Sequence, residues 1–322
     1  PSLALSLPCT LPPPRPLRSR APFPPPHAPL TASPSPPSPQ FRVPIAEFGG
    51  IQEALARAGR EAYIVLAGGE LMNAIVDNHE APMVLSSIMK QSCTERGRRV
   101  VQDGMDILGG AGICMGKDNF LGSAYMAMPV AITVEGANIM TRSFQIIGQG
   151  LTRCHPHMLP LIDSLQSTDA DAPAKFRTQF GKMLGHVFSN LGLGLMRGVG
   201  STVSTATRSS TAYKDGDKLI AYHEAQLLRL SANFAFASDL ALLLGGRLKF
   251  EELLMGRLAD AMGAIFLGYS TLHHFSRNRA AVPGLEALAE SALLQVRCAH
   301  NPSPPPSFPT PPSPLSRLTP LS

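Results

Sequence analysis

The sequence predicts an all-α protein: an antiparallel helical bundle, then a second helical extension, flanked by disordered Pro-rich tails. Three observations predict this class. Apolar residues recur at the spacing of amphipathic helices through the middle of the chain. No segment there shows the sustained alternation that is typical of a half-buried strand. Prolines are concentrated at the two ends, where no packed core is expected.

The two ends differ in composition from the rest of the 322-residue chain. Residues 1–40 contain 15 of the 31 prolines, residues 301–322 contain another 9, and neither segment contains an acidic residue. Such segments cannot bury enough apolar surface to fold. Three interpretations stay open: a Pro-rich linker or SH3-type ligand, an organelle transit peptide at the front, and translated pyrimidine-rich intron sequence. The matching composition of both ends favours the third.

Composition also argues against three classes of protein. Residues 41–300 hold 24 of the 28 basic residues and all 23 acidic ones, so the net charge of +5 belongs mainly to the tails and does not indicate nucleic-acid binding. The five cysteines form no CxxC pair and no zinc-type cluster, which favours a reducing compartment over secretion. No uncharged stretch of the middle is longer than the 16 residues of Asn119–Val134, which is too short for a transmembrane helix.

Three apolar stripes predict the helices of the first bundle. They extend over Ile51–Val76, over Leu85–Leu108 and from Ile139 to Ile147. The break at Asp77–Pro82 combines a polar turn with a proline near a helix start. Because helices of this length with short connections pack antiparallel, we expect a bundle over residues 45–155.

A second group of helices follows residue 155. A stripe begins at Phe176, and two further helices are expected at about 217–244 and 249–277, with Gly245-Gly246 as the stop between them. We expect this unit to pack against the first. The predicted domains are a Pro-rich segment over 1–40, a helical domain over 41–155, a helical extension over 156–297 and a Pro-rich tail over 298–322.

The glycines of Gly109-Gly110-Ala111-Gly112 are a candidate ligand-binding turn. They do not have the GxGxxG spacing of a dinucleotide-binding loop, and they follow a helical pattern instead of a strand. A helix that ends in glycines is the simpler interpretation. It leaves three glycines in four positions unexplained, whereas close approach of the backbone to a ligand explains them.

Glu135 is the candidate catalytic residue. It is the only acidic residue between Asp118 and Asp163, and it lies at the end of an apolar stretch just before a helix. The simpler interpretation is a carboxylate stabilised by the helix macrodipole. The functional interpretation is a desolvated carboxylate that acts as a base.

The sequence gives no strong metal motif. His155 and His157 flank a proline, and only Cys154 stands near them as a further ligand type. We therefore expect turn histidines and no metal site. Asp239 and Asp260 lie among apolar helical residues, where structural hydrogen bonding is expected.

Two motifs resemble the C-terminal helical domain of acyl-CoA dehydrogenases. The first is Asp106–Gly112, DILGGAG, and the second is Val134–Arg142, VEGANIMTR. The wider family has Gln-Ile-x-Gly-Gly-x-Gly and Glu-Gly-Thr, with an Arg seven residues after the Glu, a spacing that Arg142 keeps. The extension, through Arg229–Asn233 and Gly245–Lys249, is similar to the large bacterial-type long-chain enzymes with an extra C-terminal helical domain.

The resemblance begins at Gln40-Phe41 and fades near residue 296, which implies the C-terminal piece of a larger enzyme. In the family, an N-terminal helical domain and a middle β domain precede this segment. Family members use FAD to convert a fatty acyl-CoA into trans-2-enoyl-CoA in fatty-acid β-oxidation. The resemblance also implies a homo-oligomer whose neighbouring subunit shares the FAD site, and electron-transfer flavoprotein or a similar electron acceptor.

The resemblance implies a catalytic base and five cofactor contacts. The base is Glu135, and the cofactor contacts are Phe41, Asp106, Gly109, Gly110 and Ala137. The Gly109-Gly110 backbone would meet the adenine–ribose end of the cofactor from the neighbouring subunit. Asp106 stands where the wider family has Gln, and Ala137 stands where it has Thr. Ser38 stands where an Arg meets the flavin pyrophosphate, so we expect the chain by itself to be inactive.

A catalytically silent helical module that oligomerises or binds a partner is the alternative function. An upstream exon that encodes the β domain would favour the enzyme, and a transcript that starts with the Pro-rich segment would favour the module. For either, we expect an intracellular location, in the cytoplasm or in a β-oxidation organelle (mitochondrion or peroxisome).

Overall fold

The computed structural model describes residues 39–40, 43–116, 118–169, 171–206 and 216–300. Over these residues the protein is almost entirely helical, which confirms the all-α class. The two strands among these residues, Pro39–Gln40 and Val43–Pro44, form a two-residue antiparallel ladder. None of the described helices combines the length and the apolar character that a membrane crossing requires. The expectation that the Pro-rich tails are disordered is wrong for Pro39–Gln40, which form a strand, and for residues 298–300, which end a helix. The other residues of 1–40 and 298–322 lie outside the described ranges.

Eleven α-helices are described, with two short 3-10 helices at Ile45–Glu47 and Gly245–Phe250 and a π-helical segment at Thr141–Gln149. In chain order the α-helices are α1 Gly49–Asp77, α2 Met83–Leu108, α3 Gly110–Ile113, α4 Gly122–Thr133, α5 Asn138–Met140, α6 Gly150–Cys154, α7 Met158–Gln166, α8 Ala172–Ala206, α9 Gly216–Leu242, α10 Glu252–Asn278 and α11 Leu285–His300. The π-helical segment joins α5 to α6, so these three form one continuous helical run.

The long helices lie where the apolar stripes predict them, and their ends have local causes. Helix α2 begins directly after Pro82 and ends at Gly109, whose φ of 57° breaks the helix. The apolar stripes that predict the other long helices do not extend over α4 or α11. Almost every residue of α4 is apolar and uncharged, so no one-sided stripe marks it, and Pro129 lies inside it.

Helix α10 is the central element of the fold. It packs against α1, α2, the π-helical segment, α9 and α11. The hydrophobic core around it takes Ile64 and Ile147 from the first predicted domain, and Leu219 and Phe275 from the extension. The two helical parts therefore share one core, which agrees with the expectation that they pack together. Their division at residue 155 stays a prediction.

Buried polar contacts tie the same helices together. Glu61 of α1, which is 1% exposed, pairs with Arg96 of α2 and accepts a hydrogen bond from the amide of Gln295 in α11. Removal of one partner from such a buried pair leaves an uncompensated charge in the core. These contacts therefore restrict how α1, α2 and α11 can pack.

We expect Phe275→Ala to destabilise the fold strongly. Phe275 is 1% exposed in the core, and removal of a buried aromatic ring costs about 3–5 kcal/mol. Phe250→Ala is the matched control, because Phe250 is 86% exposed and its removal should change the free energy of unfolding by less than about 0.5 kcal/mol. Urea unfolding followed by circular dichroism measures both. Equal losses in the two variants would contradict this description of the core.

Candidate functional site

The loop between α4 and α5 carries Glu135 in an unusual backbone conformation. Glu135 has a φ of 53° and Gly136 a φ of 90°. Among the described non-glycine residues, only His79 shares this left-handed region. Because L-amino acids disfavour it, such a conformation persists only where surrounding contacts hold it.

Lys90 of α2 stabilises this loop, which we call the Glu135 loop, through hydrogen bonds. Its ammonium nitrogen donates hydrogen bonds to the Gly136 carbonyl at 2.7 Å and to Asn138 Oδ1 at 2.8 Å, and it lies 3.5 Å from the Ile132 carbonyl. One cation thus connects the end of α4, the turn and the start of α5. No sequence motif marked Lys90, because its partners are 42 to 48 residues away.

Asn138 continues the network toward α2. It is 4% exposed, and its amide nitrogen donates to Thr94 Oγ1 at 2.8 Å and to Glu95 Oε1 at 3.0 Å. Partial burial acts to raise the pKa of Glu95, but hydrogen bonds from Asn138 and Arg98 hold that pKa below its ordinary value. Glu95 is therefore ionised at neutral pH and accepts the Asn138 hydrogen bond.

Gly136 cannot be replaced without disturbing the loop. A Cβ at this position would lie 2.9 Å from Gln145 Nε2 and 3.0 Å from Thr141 Oγ1, and the positive φ adds strain. The Thr141 hydroxyl also donates to the Gly136 carbonyl at 3.1 Å. The Glu-Gly pair of the motif is thus a turn fixed by the helices on either side of it.

The side chain of Glu135 itself is exposed. It makes no hydrogen bond or ion pair with any residue that the structure describes. Its place just before the continuous run of α5 agrees with the helix-terminus interpretation. The desolvation expected of a base is not supplied by the described part of the chain.

The glycine turn after α2, Gly109–Gly112, has a structural cause for two of its three glycines. Gly109 has a φ of 57°, which favours glycine, and Gly112 is needed for packing because its Cβ would lie 2.9 Å from the Met105 carbonyl oxygen. Gly110 has neither constraint. A Cβ at Gly109 or Gly110 would point into open space, so the backbone face of both residues is accessible to a ligand.

The structure does not bring all the predicted site residues together. The Glu135 loop is hydrogen-bonded to α2 at Lys90, and the glycine turn begins where α2 ends, after Leu108. The stretch of α2 between these two points is about 28 Å long. Asp106 is exposed near the turn, and Ala137 is half-buried in the loop. Phe41 lies outside the described residues.

Arg142 of the second motif contacts α10 instead of Glu135. Its Nε donates to Asp260 Oδ1 at 2.7 Å, and a second hydrogen bond from the guanidinium makes the pair bidentate. The expected structural role of Asp260 is confirmed. This pair fixes the π-helical segment, and hence the helix that follows Glu135, against the central helix.

Exposed apolar side chains are numerous around the glycine turn, α4 and the Glu135 loop, and a second group of them lies on α8. Ile113 is 82% and Ile139 is 85% exposed. The other members of this apolar surface are Met115, Phe120, Tyr125, Met126, Val130, Val134 and Met140. A soluble protein rarely leaves so many large apolar side chains in contact with water, so this surface has the character of a covered interface.

A second polar cluster lies between α6 and α9. His155 Nε2 donates to Asp239 Oδ1 at 3.0 Å, and Asn190 Nδ2 donates to Asp239 Oδ2 at 2.9 Å and lies 2.9 Å from His186 Nε2. We call these four residues the buried histidine cluster. Burial lowers the pKa of both His186 and His157.

The buried histidine cluster was only partly foreseen. His155 and His157 do lie in a turn, and Asp239 does accept structural hydrogen bonds, as expected. His186 and Asn190 were not predicted to take part in the cluster. They are four residues apart on α8 and face Asp239 from a helix far along the chain, so no local spacing connects them.

Two family models match the chain. Residues 36–151 match the model described as acyl-CoA dehydrogenase, C-terminal domain. Residues 152–300 match the model described as acyl-CoA dehydrogenase, C-terminal, bacterial type. Together they cover both helical parts and the two sequence motifs.

We expect Lys90→Met to loosen the Glu135 loop. The substitution keeps an unbranched side chain but leaves the Gly136 carbonyl and Asn138 Oδ1 without their donor, which should cost about 1–3 kcal/mol. Amide hydrogen exchange should become faster over residues 134–141. Lys249→Met, at an exposed lysine, is the control. Unchanged exchange in Lys90→Met would show that other contacts hold the loop.

Proposed function

Because the chain belongs to the acyl-CoA dehydrogenase family, we propose that it is the C-terminal part of an FAD-dependent enzyme that converts a fatty acyl-CoA into trans-2-enoyl-CoA, with Glu135 as its base. The observation that carries this proposal is the backbone at Glu135. An exposed carboxylate is held in a left-handed conformation by Lys90 and Asn138. A carboxylate that only stabilises a helix end needs no such fixation, whereas strained and fixed backbone is typical of functional sites.

The base must take a proton from the carbon next to the thioester carbonyl. That carbon is a weak acid, so an ionised carboxylate needs desolvation to raise its proton affinity. The described residues hold Glu135 in position but do not cover it. We propose that the acyl-CoA substrate, the cofactor and the family's preceding domains exclude water from it.

The reaction removes two hydrogens from adjacent carbons. Glu135 takes the α proton, and the electrons of that bond form the new Cα–Cβ double bond. The flavin, when bound, supplies the acceptor for the hydride that leaves Cβ. The role of this chain is thus to hold one carboxylate oxygen at the α carbon, and Lys90 acts as a positioning residue for that carboxylate.

The glycine turn is the proposed cofactor contact. The open space beside Gly109 and Gly110 fits a ligand that lies against the backbone, and Asp106 is exposed nearby. Because about 28 Å of α2 separates this turn from the Glu135 loop, we propose that it contacts FAD bound to a neighbouring subunit. Ala137, beside the base, and Phe41 are the remaining proposed contacts.

The wider setting of the enzyme follows from the same proposal. We propose a homo-oligomer that passes electrons to electron-transfer flavoprotein or a similar acceptor. Its compartment is the one in which fatty acids undergo β-oxidation, in the cytoplasm or in an organelle. The division into domains at residues 41–155 and 156–297 is part of this proposal.

We expect Glu135→Gln to block catalysis without blocking binding. The Gln side chain keeps the shape of Glu but cannot accept a proton near neutral pH. No other acidic residue lies between Asp118 and Asp163 to replace the lost base. In an enzyme that carries the family's preceding domains, flavin and acyl-CoA should still bind. Reduction of the flavin by substrate under anaerobic conditions, followed by absorbance, should be slower by several orders of magnitude.

Glu224→Gln is the matched control, because Glu224 is an exposed carboxylate on α9. It should reduce flavin at the rate of the unmodified enzyme. If Glu135→Gln reduces flavin within about tenfold of that rate, the base is another residue. If the unmodified enzyme binds neither flavin nor acyl-CoA, the silent helical module is the better interpretation.

The apolar surface around Ile113 and Ile139 leads to a prediction for the chain by itself. We expect the purified 322-residue chain to self-associate, because the surface that the preceding domains would cover is exposed. Light scattering at micromolar concentration measures this. A double substitution of Ile113 and Ile139 by Ser should reduce association, and a monomer without any substitution would contradict the proposal that this surface is an interface.

A further inference from the structure

The buried histidine cluster has no part in the proposed reaction, but its ligand atoms converge. We infer that His155, His186 and Asp239 form a binding site for a divalent transition-metal ion of the zinc class. One nitrogen of each histidine and one carboxylate oxygen lie within 4.8 Å of one another. The three residues are 3%, 6% and 2% exposed. This inference reverses the expectation, drawn from sequence spacing, that the chain has no metal site.

The Asp239 carboxylate is the group that needs a cation. It accepts hydrogen bonds from His155 and Asn190, and no lysine or arginine of the described ranges pairs with it. His155 is a neutral donor, because its Nδ1 accepts the His157 backbone N–H at 3.1 Å and its proton therefore lies on Nε2. A buried carboxylate with only neutral partners keeps most of its desolvation cost, and a bound cation removes that cost.

The distances are close to those of a metal site. Zinc binds histidine nitrogen and carboxylate oxygen at about 2.0–2.2 Å, which places tetrahedral ligand atoms about 3.4 Å apart. Asp239 Oδ1 lies 3.0 Å from His155 Nε2 and 4.0 Å from His186 Nε2. Shifts of less than about 1 Å would therefore bring the three ligands to a common ion.

The ligand types select the class of ion. Two imidazoles and one carboxylate suit zinc and its first-row neighbours, whereas calcium and magnesium take oxygen ligands. The ring of His157 lies 5.3 Å from that of His186 and borders the cluster, so it can supply a fourth ligand. Asn190, which donates to Asp239, would orient the carboxylate.

The ion has to compete with a proton. Binding through His155 Nε2 requires that the proton there moves to Nδ1, which then gives up its hydrogen bond from the His157 amide. His186 Nε2 must likewise exchange its contact with the Asn190 amide for the metal. Metal uptake would therefore rearrange the turn at residues 155–157, while the helices that carry the other ligands stay in place.

Metal analysis of the full chain tests this inference. The 322-residue protein is stripped with a chelator, dialysed against Zn²⁺, and its bound zinc is counted by elemental analysis. A second sample receives Co²⁺, whose visible absorption reports a tetrahedral site. We expect about one ion per chain, a tetrahedral cobalt spectrum without a thiolate charge-transfer band, and a rise in melting temperature with zinc.

Substitutions locate the ion. Asp239→Asn and His186→Gln keep hydrogen-bonding side chains of similar size, and each should reduce bound zinc to background. Asn190→Ala should weaken zinc binding by about 10–100-fold. His273→Gln, at a half-buried histidine of α10, is the matched control and should keep full zinc content.

Three results would overturn the inference. In the first, the unmodified chain takes up no zinc and gives no cobalt spectrum, so the cluster is a hydrogen-bonded network only. In the second, zinc remains in both Asp239→Asn and His186→Gln. In the third, a thiolate band places the ion on a cysteine such as Cys154. The first and third results come from the unmodified chain, so they hold even if a variant fails to fold.

Discussion

The burial of helix α10 is the constraint on which the rest of the structure depends. This one helix contacts α1, α2, the π-helical segment, α9 and α11, so the two halves of the chain cannot form separate cores. Met255 and Phe275, near its two ends, are almost completely inaccessible to water. Because its sequence comes late in the chain, the first bundle acquires its full core only when the extension packs against it.

The position of Glu135 follows from this packing. The run from α5 to α6 is held against α10 by the Arg142–Asp260 pair, and α2 presents Lys90 to the turn that precedes α5. Both ends of the turn are therefore fixed by helices that the core already holds. A strained conformation can persist under these conditions, because relaxing it would require movement of packed helices.

Glu61 and Asp239, the two most deeply buried carboxylates among the described residues, have different partners. Glu61 is paired with Arg96, so its charge is compensated within the bundle. Asp239 has only histidine and asparagine partners among the described residues. Burial is similar in the two cases, so the difference in partners, and not the degree of burial, separates a structural carboxylate from a candidate ligand site.

The sequence by itself determined the helical class, the long helices and the motif residues Glu135 and Gly109-Gly110, because amphipathic spacing and short motifs are local properties. It did not reveal α4, which lacks a polar face, nor the hydrogen bonds from Lys90 to the Glu135 loop. It also gave no sign that His155, His186 and Asp239 meet. The Lys90 contacts and the histidine cluster join residues far apart in the chain, and only helix packing brings such residues within hydrogen-bonding distance.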